Sequence, residues 1–192
     1  KDLKFLKKIN FTHNQKELKN SNVYIITTPT PVFKNNKPDL RNIKNASKTV
    51  GKNLMKDDLV IYESTVYPGL TQKVCKPILE RNSHLFCSDK DLKNTKNYFH
   101  LGYSPERINP GDELHTLEKI SKIVSSDNPH VSLYIKAIYK EIIKAKVIIA
   151  KDIKTAEAAK VIENTQRDIN IAFMNELSII FNKLNIRTKD VI

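Results

Sequence analysis

Leu59-Val60-Ile61-Tyr62-Glu63-Ser64-Thr65 sets four apolar or aromatic residues in a row and then turns polar. A strand wetted on one side would alternate, whereas an unbroken run suits a strand covered on both faces, as in parallel sheets. The run breaks at Pro68-Gly69. Upstream, Val23-Tyr24-Ile25-Ile26-Thr27-Thr28 has the same make-up and stops at Pro29-Thr30-Pro31, where proline ends both strand and helix. Two doubly buried strands require helices on both sides of one sheet.

The flanking sequence supplies them. Ile9 to Thr12 is a short strand candidate, and Asn14 can cap a short helix through Leu18. Asp39 offers an N-cap to a helix reaching about Leu54. A helix from about Thr71 to Arg81 should be kinked or interrupted at Pro77. Asn82 to Lys96 is polar and irregular and reads as a loop. Phe99–Tyr103, Lys119–Ser125 and Val147–Ile149 are further strand candidates, with a helix from near Pro129 capped by Ser126 or Asp127. The expected fold class is α/β: a partial Rossmann-like parallel sheet followed by a long central helix.

That long helix starts at Thr155, which can cap it, with Glu157 in its first turn. Ala158, Ile162, Ile169, Phe173, Ile180 and Leu184 keep helical spacing, and Asn185 suits a left-handed C-terminal cap. At 1.5 Å per residue such a helix is about 45 Å long. It outreaches a small domain, so its far half should lie against a second domain or another subunit. Thr188 then caps a further helix. The division read here is 1–150, 151–185 for the long helix, and 186–192.

Composition excludes several classes. The chain of 192 residues has no apolar run long enough to span a membrane, and its start has no signal-peptide core. Two cysteines, Cys75 and Cys87, are too few for a disulfide framework, and a cytoplasmic location is the default. No Cys-x-x-Cys or paired His motif occurs, so no metal site is expected. The net charge of +12 is spread over the whole chain with no alternating aromatics, so nucleic acid is not expected as a partner. Small anionic ligands fit the charge equally well.

Three features can carry chemistry. The strands ending in Thr27-Thr28-Pro29-Thr30 and Glu63-Ser64-Thr65 put hydroxyls where ligands lie in doubly wound sheets, although ordinary turns use the same residues. The loop Tyr103-Ser104-Pro105-Glu106-Arg107-Ile108-Asn109-Pro110-Gly111-Asp112 fixes a carboxylate beside a guanidinium. That suits acid–base work or anion binding, and equally an exposed ion pair. Lys160, Asn164 and Arg167 share a helix face at i, i+4 and i+7. In a cleft they could stabilise a developing oxyanion and hold an acidic ligand; on a free surface they would simply be solvated. Neither cysteine has the setting of a nucleophile, and both read as buried or idle thiols.

Taken together, the runs Glu63–Gly69, Gly102–Asp112 and Ala156–Asn170 resemble the UDP-glucose/GDP-mannose dehydrogenase superfamily, and within it the UDP-N-acetylhexosamine 6-dehydrogenases. The resemblance covers nearly the whole chain. It implies an NAD-binding Rossmann domain, a long helix that builds a homodimer, and a nucleotide-sugar domain. It also implies an enzyme that oxidises the 6-hydroxymethyl group of a UDP-sugar to a carboxylate, using two NAD and a cysteine thioester, for surface polysaccharide precursors. By resemblance, Thr30 and Thr65 contact NAD, and Thr65 helps hold the hydrolytic water. Glu106 acts as base in thioester hydrolysis, and Arg107 and Ile108 meet the substrate. Lys160 is the acid–base or oxyanion-stabilising lysine, Asn164 assists it, and Arg167 touches the substrate.

Two departures stand out. Where the UDP-glucose enzymes place a second glutamate, this chain has Pro110. With glycines only at 51, 69, 102 and 111 there is no Gly-x-Gly-x-x-Gly to cradle a pyrophosphate. The chain therefore reads as an internal piece, beginning late in the Rossmann domain and ending before the nucleophilic cysteine. It is expected to form no NADH from UDP-N-acetylhexosamines by itself; measurable turnover in a 340 nm assay would refute this. Competing readings are a non-catalytic dimerising remnant and another Rossmann-type dehydrogenase, such as one acting on hydroxy acids. The residues do not choose among the hexosamines.

Overall fold

The computed structural model describes residues 9–88, 96–107 and 116–192. β1 (Val23–Ile26), β2 (Leu59–Tyr62), β3 (Phe86–Cys87) and β4 (Tyr98–Tyr103) form one sheet in the order β1-β2-β4-β3, with every neighbouring pair parallel. β5 (Lys122–Val124) and β6 (Val147–Ile149) make a second parallel pair. It is tied to the first sheet where Tyr103 and Ser125 exchange backbone hydrogen bonds.

The two faces of β2 explain why its run does not alternate. Val60 and Tyr62 enter a core with α1 (Arg41–Gly51) and α2 (Lys76–Ser83). Leu59 and Ile61 enter another, made with Val131, Ile135 and Tyr139 of α3 (Pro129–Lys140). All four residues are at most 1 % exposed, and burial of a large apolar side chain contributes roughly 1.5–3 kcal/mol, so both faces of the strand are stabilised.

Several boundaries differ from expectation. Ile9 to Thr12 is not a strand. Asn14 does cap a short helix, a 3₁₀ turn at Gln15–Asn20. Asp39 accepts from the Arg41 amide, but α1 ends at Gly51. The interruption expected at Pro77 is a π-helical turn, Thr71–Cys75, which hands over to α2 with Pro77 in its first turn, where no amide donor is missed. Phe86–Cys87, read as loop, pairs with β4. Asn128 caps α3, in place of Ser126 or Asp127.

The long helix α4 spans Ile153–Lys183, capped by Asp152 through the Thr155 amide, one turn earlier than expected. Asn185 adopts the left-handed conformation, at φ 57°. The short α5 (Thr188–Val191) has no side-chain cap. Only the first turns of α4 are buried, through Ile153, Ala156, Glu157 and Lys160. Ile162, Ile169, Phe173 and Leu184 are exposed in the single chain. Among the described residues no helix is long and apolar enough to cross a membrane.

Candidate active site

The carboxyl ends of β1, β2 and β4 all point to one edge, and α4 crosses that edge. The strand tips are stitched together first. Ser64 Oγ donates to the Thr28 carbonyl (2.6 Å), and the buried Tyr103 hydroxyl donates to the Ser64 carbonyl (3.2 Å). Ser104 Oγ donates to the Ile123 carbonyl (2.8 Å), which holds the start of the Glu106 loop against β5.

Glu157 anchors α4. It is fully buried, and its carboxylate accepts from the amides of Gly69 and of Thr71, the latter at 2.9 Å. Gly69 sits at φ 89°, a conformation that glycine adopts without strain. Glu157 therefore satisfies orphan donors at the start of another helix rather than favouring the dipole of its own. Burial raises its pKa, and the hydrogen bonds from Thr71 and Gly69 partly offset this.

One turn further on, Lys160 is 8 % exposed. Loss of water lowers its pKa, Glu163 and Glu106 raise it, and Arg167 and Arg107 lower it. Thr27–Thr30, Glu63, Ser64, Thr65, Glu106, Lys160, Asn164 and Arg167 line one polar cleft of about 460 Å³. Of the candidate residues, Thr30, Thr65, Glu106, Lys160, Asn164 and Arg167 thus converge. Ile108 lies outside the described residues. Arg107 does not line the cleft: its Nε and Nη2 bind the Glu163 carboxylate at 3.1–3.3 Å, and its Nη1 donates to the Ser121 carbonyl at 3.2 Å.

Two clusters escaped the reading of the sequence. Glu163 faces Arg107, Arg167 (3.7 Å) and Lys160 (4.0 Å). Its spacing, three residues after Lys160 and four before Arg167, was a usable signal. At the tip of β2, Glu63 Oε1 accepts from Lys122 Nζ (2.8 Å) and the Tyr139 hydroxyl (2.6 Å). Burial and then Glu63 push the Tyr139 pKa up. No spacing rule joins residues so far apart in sequence.

Beside the cleft is a smaller apolar hollow of about 190 Å³, lined by residues including Leu40, Val66, Leu70 and Val161 and sharing Thr30 and Thr65 with it. Thr30 Oγ1 is buried there with no hydrogen-bond partner, an arrangement that costs roughly 1–3 kcal/mol unless something fills the place. Cys75, buried against Tyr62 and Ser47, has its thiol pushed up to about 11, chiefly by burial, which disfavours the thiolate.

Known proteins share this architecture. The family model described as UDP-glucose/GDP-mannose dehydrogenase family, NAD binding domain, matches residues 3–143, and that family's central domain matches 154–192. Protein CapL of Staphylococcus aureus is 52% identical over 184 residues, 96% of this chain and 42% of that protein. The UDP-N-acetyl-D-glucosamine 6-dehydrogenase of Pseudomonas aeruginosa is 48% identical over 191 residues, 100% of this chain and 43% of its own length. The structure of a UDP-D-ManNAc dehydrogenase from Pyrococcus horikoshii superposes with a TM-score of 0.86 at 30% identity, covering 100% of this chain and 43% of that one. The chain thus spans less than half the length of the curated relatives it matches.

Proposed function

The chain belongs to the UDP-glucose/GDP-mannose dehydrogenase family, and from that premise we propose that it forms part of an enzyme oxidising the 6-hydroxymethyl group of a UDP-N-acetylhexosamine to a carboxylate with two NAD. We assign residues 1–150 to the NAD-binding domain, 151–185 to a helix that pairs two copies in a homodimer and lies almost wholly within the stretch matched by the central-domain model, and 186–192 to the continuation of that central domain. The setting proposed is the cytoplasm, and the product a precursor of surface polysaccharide.

The observation that supports this reading best is the shared cleft, in which a desolvated lysine and an amide on α4 face threonines at two strand tips. The residues present fit the nicotinamide end of a dinucleotide. Thr30 offers an unsatisfied buried hydroxyl, and an apolar wall stands beside it. They do not supply a Gly-x-Gly-x-x-Gly pyrophosphate cradle, which the sequence lacks, and the Gly69 amide beyond the β2 tip is taken by Glu157.

NAD held against Thr30 and Thr65 would supply the hydride acceptor for each oxidation of the sugar carbon. The hydroxyl proton must leave at the same time. In this reading Lys160, with its charged form disfavoured by burial, takes that proton and Asn164 steadies the oxygen. Glu106, exposed at the rim, activates water in the hydrolytic half-reaction. Arg167 holds an acidic part of the nucleotide sugar. Arg107 acts by bracing the loop through Glu163, which leaves direct substrate contact to its backbone or to Ile108.

At 22.1 kDa the chain suits amide NMR. Titration with millimolar NAD and UDP-N-acetylglucosamine is expected to shift Thr30, Thr65, Lys160 and Asn164. Thr30→Val should weaken the NAD response roughly two- to tenfold, the worth of one hydrogen bond. Shifts confined to other surfaces, or none, would reject the reading.

A further inference from the structure

Glu163 lies among three cations contributed by two separate elements. Its carboxylate oxygens are 3.1–3.3 Å from the Arg107 nitrogens of the loop after β4, 3.7 Å from Arg167 and 4.0 Å from Lys160 on its own helix. The pair with Arg107 is two-pronged, and both side chains are roughly three-quarters buried, a geometry stronger than an exposed ion pair. We propose that Glu163 is a positioning residue, whose carboxylate clamps the Glu106–Arg107 loop onto the long helix and sets how firmly Lys160 holds its proton.

The charges around Lys160 make the case. From α4 it faces Glu163 and Arg167, and from the loop it faces Glu106 and Arg107. Glu63, on the same cleft, is tied to Lys122. With Glu163 in place, two carboxylates balance two guanidiniums. Without it, two guanidiniums and the ammonium crowd one partly dry space against Glu106 alone. Like charges at such distances disfavour the charged amine, and burial weakens the screening that would otherwise hide the effect. Glu163→Gln should therefore make Lys160 surrender its proton more readily. Arg167→Met should do the opposite.

The importance of this for turnover rests on Lys160 being the proton-handling group, but the test does not. The chain is labelled with limiting acetic anhydride over a pH series. Lys160 acetylation is then read by peptide mass spectrometry against exposed Lys183 in the same molecules. For Glu163→Gln the Lys160 midpoint should fall, giving roughly threefold to tenfold more relative labelling at a pH below the midpoint, with the alkaline plateau unchanged. Arg167→Met should raise the midpoint. Simple loosening of the fold would raise the plateau instead. A midpoint unmoved in Glu163→Gln, or a changed plateau alone, overturns the proposal. If Glu163→Gln does not fold, an unmoved or lowered midpoint in Arg167→Met overturns it. A shifted midpoint together with ligand shifts elsewhere would instead leave this inference standing and reject the reading of the cleft.

Discussion

Glu157→Ala is expected to cost roughly 3–5 kcal/mol of folding stability, or about 6–20 °C in the unfolding midpoint for a chain of this size. The side chain is fully buried, and its two oxygens take the Gly69 and Thr71 amides. Alanine leaves both donors unsatisfied at roughly 1–3 kcal/mol each and opens a void beside them. Glu157→Gln keeps the volume but presents an NH2 group to one of the two amides, so it should lose about half as much. The charge itself has the opposite sign. Burial raises the folded pKa of Glu157, so the folded state holds this proton more tightly than the unfolded one. Its contribution is therefore most favourable below the ordinary carboxyl value and declines as pH rises through the raised one. The Gln variant should lack that component. Urea unfolding at several pH values would check both statements. A loss under about 1 kcal/mol for Glu157→Ala would mean that the amides find other acceptors, and that α4 is not fixed over the strand tips in this way.

That anchor marks the boundary of what the sequence revealed. The strands were legible because Leu59–Tyr62 and Val23–Ile26 are patterned by burial on two faces, a local property. The stripe Lys160-Asn164-Arg167 was legible because helical periodicity puts those residues on one face, and the cleft does bring them to Thr30, Thr65 and Glu106. Glu157 was misread because its partners stand 86 and 88 residues away. From spacing alone it belongs to the first turn of its own helix, and that turn begins earlier than Thr155 suggests. Arg107 looked free for an anionic ligand because Glu163 sits 56 residues away. Phe86–Cys87 was hidden because two residues give no period, and only the neighbouring β4 makes them a strand. Contacts set by tertiary packing leave no trace in spacing, and these are the contacts that orient the cleft.

A second large effect is expected at Gly102, where the packing of α3 meets the strand that carries the Glu106 loop. A Cβ added to Gly102 would lie 2.2 Å from Ile135 Cδ1 and 3.1 Å from the Ser125 carbonyl oxygen, where carbon atoms in contact prefer 3.5–4.0 Å. Ile135 is 0% exposed and packed among Leu59, Ile61 and Val124, so its methyl has no free space to enter. The Ser125 oxygen accepts from the Tyr103 amide at 2.9 Å and cannot retreat without breaking the link between the two sheets. Gly102→Ala should therefore cost roughly 1–3 kcal/mol and Gly102→Val roughly 3 kcal/mol or more. Ile135→Ala alone should cost roughly 2–5 kcal/mol by leaving a cavity. Combined, Gly102→Val and Ile135→Ala each supply what the other lacks, since the valine methyls occupy the space vacated by the isoleucine. The double variant should be at least as stable as Gly102→Val alone, which requires a coupling of about 2 kcal/mol or more, the full cost of Ile135→Ala. The rescue should stay incomplete, because truncating Ile135 does not move the Ser125 carbonyl. Costs that simply add in denaturant titrations would mean that Ile135 does not set the spacing between α3 and β4. The position of Tyr103, Ser104 and the Glu106 loop would then have to be set from elsewhere.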